Sequence, residues 1–326
     1  MTQAPNIDGV LIQWGDRLFY PGNRIVKTSP QPKLPALAAR QRAAAIRQRI
    51  EATVVRRAPQ VMVKVTGGGR GLKAIAAHFR YISKNGRLDI EDERGERMRG
   101  KDSLHDLADD WRLGGTLIDD IGDRREAFNI MLSMPRGADP LVVQKAAREF
   151  AHIELADHKY VMVLHDHQAN PHVHISVRAE SKHGKRLNPR KADLHRWRET
   201  FAEKLRGYGV EAEATRQATR GRTHNFEPLW RIKARQDGRL RTKLATTKRG
   251  KGTVMTRAAA VEAWREIARA LAASGDVSNR DLAQSVSRFV GDMPIFAGVG
   301  RTKELELPSE QSRVAAQENP GLLRER

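Results

Sequence analysis

Cysteine is absent from all 326 residues, which excludes disulfides and thiolate metal sites and leaves any metal to His, Asp or Glu. The same absence fits a reducing compartment. No uninterrupted apolar run approaches the ~20 residues needed to span a bilayer, and no basic-then-apolar signal opens the chain, so membrane insertion and secretion are not expected. Aromatic residues make up only 5%, too few for the long base-stacking platform of a general single-strand binder. Acidic side chains are also scarce. Lys and Arg number 59 against 39 Asp and Glu, a formal charge of +20, so the expected partner is a polyanion, with nucleic acid ahead of a membrane surface.

The length suits two domains, or one large domain with extensions. Residues 1–58 read as an N-terminal basic extension: a stretch interrupted by Pro21, Pro30, Pro32 and Pro35 leads into an Ala- and Arg-rich helix from Leu37 to Arg57. Its Arg40, Arg42, Arg47, Arg49, Arg56 and Arg57 are either a nucleic-acid face or a solvated one. The core spans 59–222. Val61, Val63 and Val65 alternate as a strand ended by Gly67-Gly68-Gly69. Leu72, Ile75, Ala76, Phe79 and Ile82 set the face of a helix over 72–83, stopped by Asn85-Gly86. The charged stretch 87–125 is expected to be loop plus a helix around Leu104 to Trp111. A second strand carries Phe128, Ile130 and Leu132, and a helix opened by Asp139 runs from Pro140 to Leu155. Tyr160 to Leu164 and His172 to Val177 are central strands, and Leu194 to Tyr208 is an amphipathic helix. Residues 223–326 form a basic linker and helical C-terminal region: the basic run lies between Arg216 and Lys251, with short helices at Ala258 to Ala273 and Asn279 to Val290.

The chemistry concentrates in Leu164-His165-Asp166-His167-Gln168-Ala169-Asn170-Pro171-His172-Val173-His174-Ile175. Side chains two apart on a strand share a face, so His172 and His174 project together while Val173 and Ile175 enter a core. His165 returns to them across the Asn170-Pro171 turn. Three imidazoles meeting at one point form a metal site with coordination positions left open, the pattern of catalysis rather than structure. Imidazole suits manganese, zinc and nickel, whereas magnesium prefers oxygen. Asp166 is a candidate base or partner of a ligand, although alternation turns it away from His165. Tyr81, one of four tyrosines, sits at the end of a helix beside Arg80 and Lys84. A tyrosinate attacking phosphorus would exchange one phosphodiester for another, although a lone tyrosine there is more often a packing residue.

Four further segments bear on that ambiguity: Pro59-Gln60-Val61-Met62-Val63-Lys64-Val65-Thr66-Gly67-Gly68-Gly69, Tyr81-Ile82-Ser83-Lys84-Asn85-Gly86, Ser133-Met134-Pro135-Arg136-Gly137-Ala138-Asp139, and Ala147-Arg148-Glu149-Phe150. With the histidine run and Glu213-Ala214-Thr215-Arg216 after them, they resemble in order the relaxases of conjugative and mobilisable plasmids, including the border endonuclease of tumour-inducing plasmids. The resemblance implies an α+β fold, an α/β sandwich with a mainly antiparallel sheet carrying the His-x-His strand. It implies Tyr81 as nucleophile at the nic site of a transfer origin, and His165, His172 and His174 as ligands of Mg2+ or Mn2+, with Zn2+ a further option. Many relatives carry aspartate two residues after the first histidine; here that position is His167, with Asp166 displaced by one. Implied partners are single-stranded origin DNA, relaxosome accessory proteins and a type IV secretion coupling protein, in the bacterial cytoplasm.

Lys64, Arg70, Lys84, Arg178, Lys185, Arg186, Arg190 and Lys191 flank the site in sequence and are the candidate DNA contacts. Backbone amides of Gly67 to Arg70 are a candidate phosphate cradle, or simply a turn. Three other readings share some of these features: a rolling-circle replication initiator, a metallohydrolase acting through bound water, and a non-catalytic nucleic-acid-binding protein with a structural metal.

Overall fold

A computed structural model describes residues 6–20, 35–222, 229–242 and 250–296. Its centre is a six-stranded antiparallel sheet in the order β1-β4-β6-β5-β2-β3. The strands are β1 (Met62–Gly67), β2 (Ile90–Asp92), β3 (Arg97–Met98), β4 (Ala127–Ser133), β5 (His158–His165) and β6 (His172–Ser181). Odd-numbered residues of β6, Val173, Ile175 and Val177, enter one core with Ile130, Leu132 and Met162. Two helices cover that face, here α5 (Pro140–Glu154) and α6 (Lys191–Gly207), which contribute Val143, Phe150, Trp197 and Phe201. The opposite face carries Val161 and Val163 and is covered by α3 (Leu72–Ile82) and α4 (Lys101–Leu113), with Phe79 edge-on to Trp111. The expected α+β architecture is therefore present.

The hairpin of β2 and β3 interrupts a stretch expected to be loop. Its residues carry no apolar alternation because the strand is held by charge. Glu91 is buried and gripped by Arg148 from α5, the Nη2 bond measuring 2.7 Å. Asp92 closes the turn by accepting from the backbone amides of Arg94 and Glu96, both at 2.9 Å.

The first and last described helices meet. Helix α1 (Ile7–Phe19), capped by Asn6, was not anticipated; it packs with α2 (Ala36–Val54), α8 (Lys251–Ala272) and α9 (Val277–Gly291) around Leu18, Phe19, Ile46, Ile50, Trp264 and Val286. A short α7 (Leu229–Gln236) precedes α8. Gly15 allows α1 and α2 to touch, since a Cβ there would lie 2.3 Å from Ile46 Cγ2. Trp264 donates its indole N–H to the Thr219 carbonyl at 2.8 Å. Arginines of α2 and of the residues just after it are engaged within the protein: Arg42 pairs with Asp16, Arg47 with Glu51, Arg56 with Glu211, and Arg57 with Asp292. The first part of the expected basic arm is also internal, because Arg216 donates to the carbonyls of Arg17, Leu18 and Tyr20. The remainder of that arm at 223–228 and 243–249 lies outside the described residues.

Bundle and sheet unit join through Arg49, whose guanidinium meets Glu199 of α6 at 2.9 Å and Glu213 at 3.2 Å. Beside them His195 is buried, with neither ring nitrogen hydrogen-bonded and Glu199 3.6 Å away. Burial, and then Arg216, Arg198 and Arg49, push its pKa down to about 4. A folded pKa below the unfolded value of 6.5 means the unfolded chain binds more protons between these limits, so stability is lost as pH falls through that window and regained as pH rises. Urea unfolding between pH 7 and pH 5 is expected to show this loss, with His195 contributing at most about 1.4 kcal/mol per pH unit. His195→Leu should show a shallower dependence, and an unchanged one would remove His195 as a cause.

Candidate metal centre and active site

Pairing of β5 with β6 places His165 directly opposite His172, and His174 lies two residues further along the same face. The three ring centroids form a near-equilateral triangle with sides of 5.0, 4.7 and 5.0 Å. One nitrogen from each ring falls within 4.8 Å of the others, a group able to hold a metal ion. All three side chains are buried. His165 Nε2 lies 2.7 Å from the Ile82 carbonyl, and His172 Nδ1 lies 2.9 Å from that of Asn170. A carbonyl only accepts, so those nitrogens carry the protons and leave His165 Nδ1 and His172 Nε2 as lone-pair donors. Nδ1 of His174 is buried without a partner among the described residues. Burial also lowers the pKa of His165, and it pushes His174 down to about 3, helped by the neighbouring imidazoles. Neutral rings with oriented lone pairs and an unsatisfied nitrogen are the donor set a divalent cation requires.

Helix α3 brings Tyr81 to this triangle. Phe79 and Ile82 are buried, while Tyr81 is 71% exposed. Its ring stands edge-on to His174 with centroids 6.4 Å apart. His78, one turn earlier, stacks against Tyr81 at 6.1 Å and 27°, and lies 6.5 Å from His174. Nε2 of His78 is buried without a hydrogen bond, and burial lowers its pKa to about 4. The sequence reading passed over His78. The available signal was its i, i+3 spacing from Tyr81 on one helix.

The end of α3 explains how Tyr81 is held. Ser83 Oγ donates to the Phe79 carbonyl at 2.7 Å and accepts from the Gly86 amide at 3.0 Å. Lys84, Asn85 and Gly86 follow with φ of 51°, 59° and 78°. A side chain at Gly86 would meet the Gly100 backbone at 2.6 Å, so both its φ and the space favour glycine. The Ile82 carbonyl, freed as the helix ends, is the acceptor for His165.

The other candidate residues divide. Lys64 pairs across the sheet with Met131, which pairs with His174. Lys64 therefore shares the face of His174 at two strand spacings, about 10 Å. Arg70 and Lys84 are exposed on the segments flanking α3. Arg178 is not available to DNA: it is buried, and its guanidinium donates to the carbonyls of Trp111 and Thr116. Lys185 and Arg186 follow the far end of β6, about 30 Å along the strand from His172. Arg186 is moreover paired with Glu126 and Glu180. Arg190 and Lys191 begin α6, on the face opposite the histidines. Nearness in sequence misled here because β6 is ten residues long. Asp166 is exposed and makes no hydrogen bond or ion pair among the described residues, whereas the His167 ring lies 5.2 Å from His165. In the glycine segment the Gly69 amide is engaged by the Ala127 carbonyl, and just beyond it the amides of Leu72 and Lys73 donate to the carbonyls of Asp119 and Asp120.

Comparison with known proteins agrees with this geometry. The family model for the nuclease domain of MobA/VirD2-like relaxases matches residues 81–210, a span that contains Tyr81 and all three histidines. No curated protein matches the chain significantly. A solved structure described as the molecular basis of vancomycin resistance transfer in Staphylococcus aureus is 15% identical and covers 49% of this chain and 99% of that one. Its TM-score of 0.30 is too low to bear on fold or function. Among the described residues, no helix is long and apolar enough to cross a membrane. Residues 81–210 thus match the nuclease domain of MobA/VirD2-like relaxases, a DNA endonuclease domain.

Proposed function

We propose that this protein nicks one strand of DNA at a plasmid transfer origin by tyrosine transesterification, as the first step of conjugative transfer. The observation that carries the reading is the approach of the exposed Tyr81 ring to within 6.4 Å of His174 in the three-histidine cluster. The Tyr81 phenolate oxygen forms a bond to phosphorus as the bond to the 3′ oxygen breaks. The products are a 5′-phosphotyrosine adduct and a free 3′ hydroxyl, and the energy of the phosphodiester is retained for rejoining. A divalent ion held by His165, His172 and His174 would supply positive charge to a non-bridging phosphate oxygen. Three nitrogen donors favour Mn2+ over Mg2+ on chemical grounds, with Zn2+ the next candidate.

The chain's own residues have separate tasks in this reading. His165 is oriented by the Ile82 carbonyl, so the turn that ends the tyrosine helix also sets a ligand. His78 backs the Tyr81 ring and limits its swing. Lys64, Arg70 and Lys84 are the cations best disposed for the scissile strand, and Asp166 is free to accept a proton from solvent or substrate. Origin DNA is the substrate in the bacterial cytoplasm, with accessory proteins and a secretion coupling protein as further partners.

Denaturing gels with labelled single-stranded origin DNA are expected to show a metal-dependent protein–DNA adduct that Tyr81→Phe abolishes. Cleavage without an adduct would assign a water-based metallohydrolase instead, and binding without cleavage a DNA-binding protein. His172→Ala should weaken Mn2+ binding by roughly 100-fold in calorimetry, the scale set by losing a ligand rather than its support. His78→Ala should slow adduct formation about 10-fold through misplacement of Tyr81, while His78→Phe, which keeps the stack, retains most of the rate. Equal losses in both variants would refute stacking as the role of His78.

A further inference from the structure

Helices α8 and α9 turn one face each toward the bundle core, through Trp264, Ile267 and Leu271 and through Leu282, Val286 and Val290. Their outer side forms a groove of about 770 Å³. Arg265 and Arg269 line it from α8, and Arg280 and Arg288 from α9, with Ala268 and Ala283 among the small residues between them. Among the described residues, no carboxylate lines the groove. Arg269 pairs with Glu266 on its own helix, and among the described residues Arg288 reaches only Ser285 Oγ at 3.5 Å. The side chains of Arg265 and Arg280 have no hydrogen bond or ion pair among the described residues.

We infer that this groove is a second DNA contact, one that holds the phosphate backbone of duplex DNA. Four guanidiniums without a lining acid attract a polyanion, and the small residues between them let a backbone come close. At 1.5 Å per residue, Arg265 and Arg269 are about 6 Å apart along their helix and Arg280 and Arg288 about 12 Å, two rows of charge rather than a point site. Among the described residues no aromatic side chain lines the groove, so unpaired bases would find nothing there to stack on, which favours duplex over single strand. Arginine to phosphate contacts of this kind position DNA without reading its sequence. The groove belongs to the bundle, which meets the sheet unit at α6, on the face opposite the histidines. Duplex held there would be a contact separate from the cleavage site, and the inference does not depend on Tyr81 being the nucleophile.

The test measures fluorescence anisotropy of the full chain on a labelled 20-base-pair duplex of arbitrary sequence, and on one of its strands, from 50 to 250 mM salt. Changing all four residues by Arg265→Gln, Arg269→Gln, Arg280→Gln and Arg288→Gln should lower duplex affinity roughly 10- to 100-fold at low salt. The slope of log K against log salt should become shallower by about 3 to 4, at ~0.9 per phosphate. Affinity for the single strand should fall much less, and four Arg→Lys exchanges should restore duplex binding. Should the quadruple variant melt early, Arg280→Gln with Arg288→Gln, both exposed, tests the same claim with an expected slope change of about 2. Unchanged duplex affinity and slope in a folded variant would overturn the inference. So would loss of binding to a poly-glutamate peptide with duplex binding intact, which would assign the groove to an acidic protein segment.

Discussion

The bond from His165 to the Ile82 carbonyl joins the two halves of the candidate site. On one side is an antiparallel strand pair that sets three imidazoles in a triangle; on the other is a helix that ends in a left-handed turn. The last turn of any helix leaves carbonyls without partners. Here one of them fixes the tautomer of a candidate ligand, and the residue immediately before it is Tyr81. The candidate nucleophile and the candidate metal ligands are therefore coupled through a single peptide unit. Little else is needed to account for their proximity.

The two sheet faces have different duties. One is apolar along β6 and is sealed by α5 and α6, which gives the histidine strand a rigid backing. The other carries His172, His174, Ser176 and Arg178 in succession, so a single strand passes from candidate metal ligands to structural hydrogen bonding along its length. Arg178 is the clearest case. In sequence it is one more cation near the histidines, but its guanidinium holds the end of α4 and the loop after it. Burial of so costly a group is tolerated because main-chain carbonyls satisfy it.

Outside the nuclease unit, distant segments complete each other. Helices α1 and α2 cannot bury Leu18, Phe19 and Ile46 alone, and α8 and α9 supply the missing surface. The Arg49 contacts with Glu199 and Glu213 then seat this bundle against α6. A protein of charge +20 thus keeps much of its positive charge engaged internally. The arginines left along the α8–α9 groove gain significance from that contrast.

Much of this was legible in the sequence. Alternation in His172-Val173-His174-Ile175 already assigns a face to each side chain, and the 3.6-residue spacing of Leu72, Ile75, Phe79 and Ile82 does the same for α3. Those signals are local, and local periodicity dictates which side chains share a surface. Helix α1 was legible in principle, from its Asn6 cap and the spacing of Leu11, Leu18 and Phe19, but a short helix has no reason to persist before its partners are known. The β2–β3 hairpin, the approach of His78 to His174, the burial of Arg178 and the meeting of the first and last described helices rest on contacts between residues far apart in sequence. The sequence determined which residues could serve as ligands and nucleophile and which face each would occupy. Tertiary structure decided which charges remain free for DNA, because a cation's availability depends on the carbonyls and carboxylates that folding brings to it.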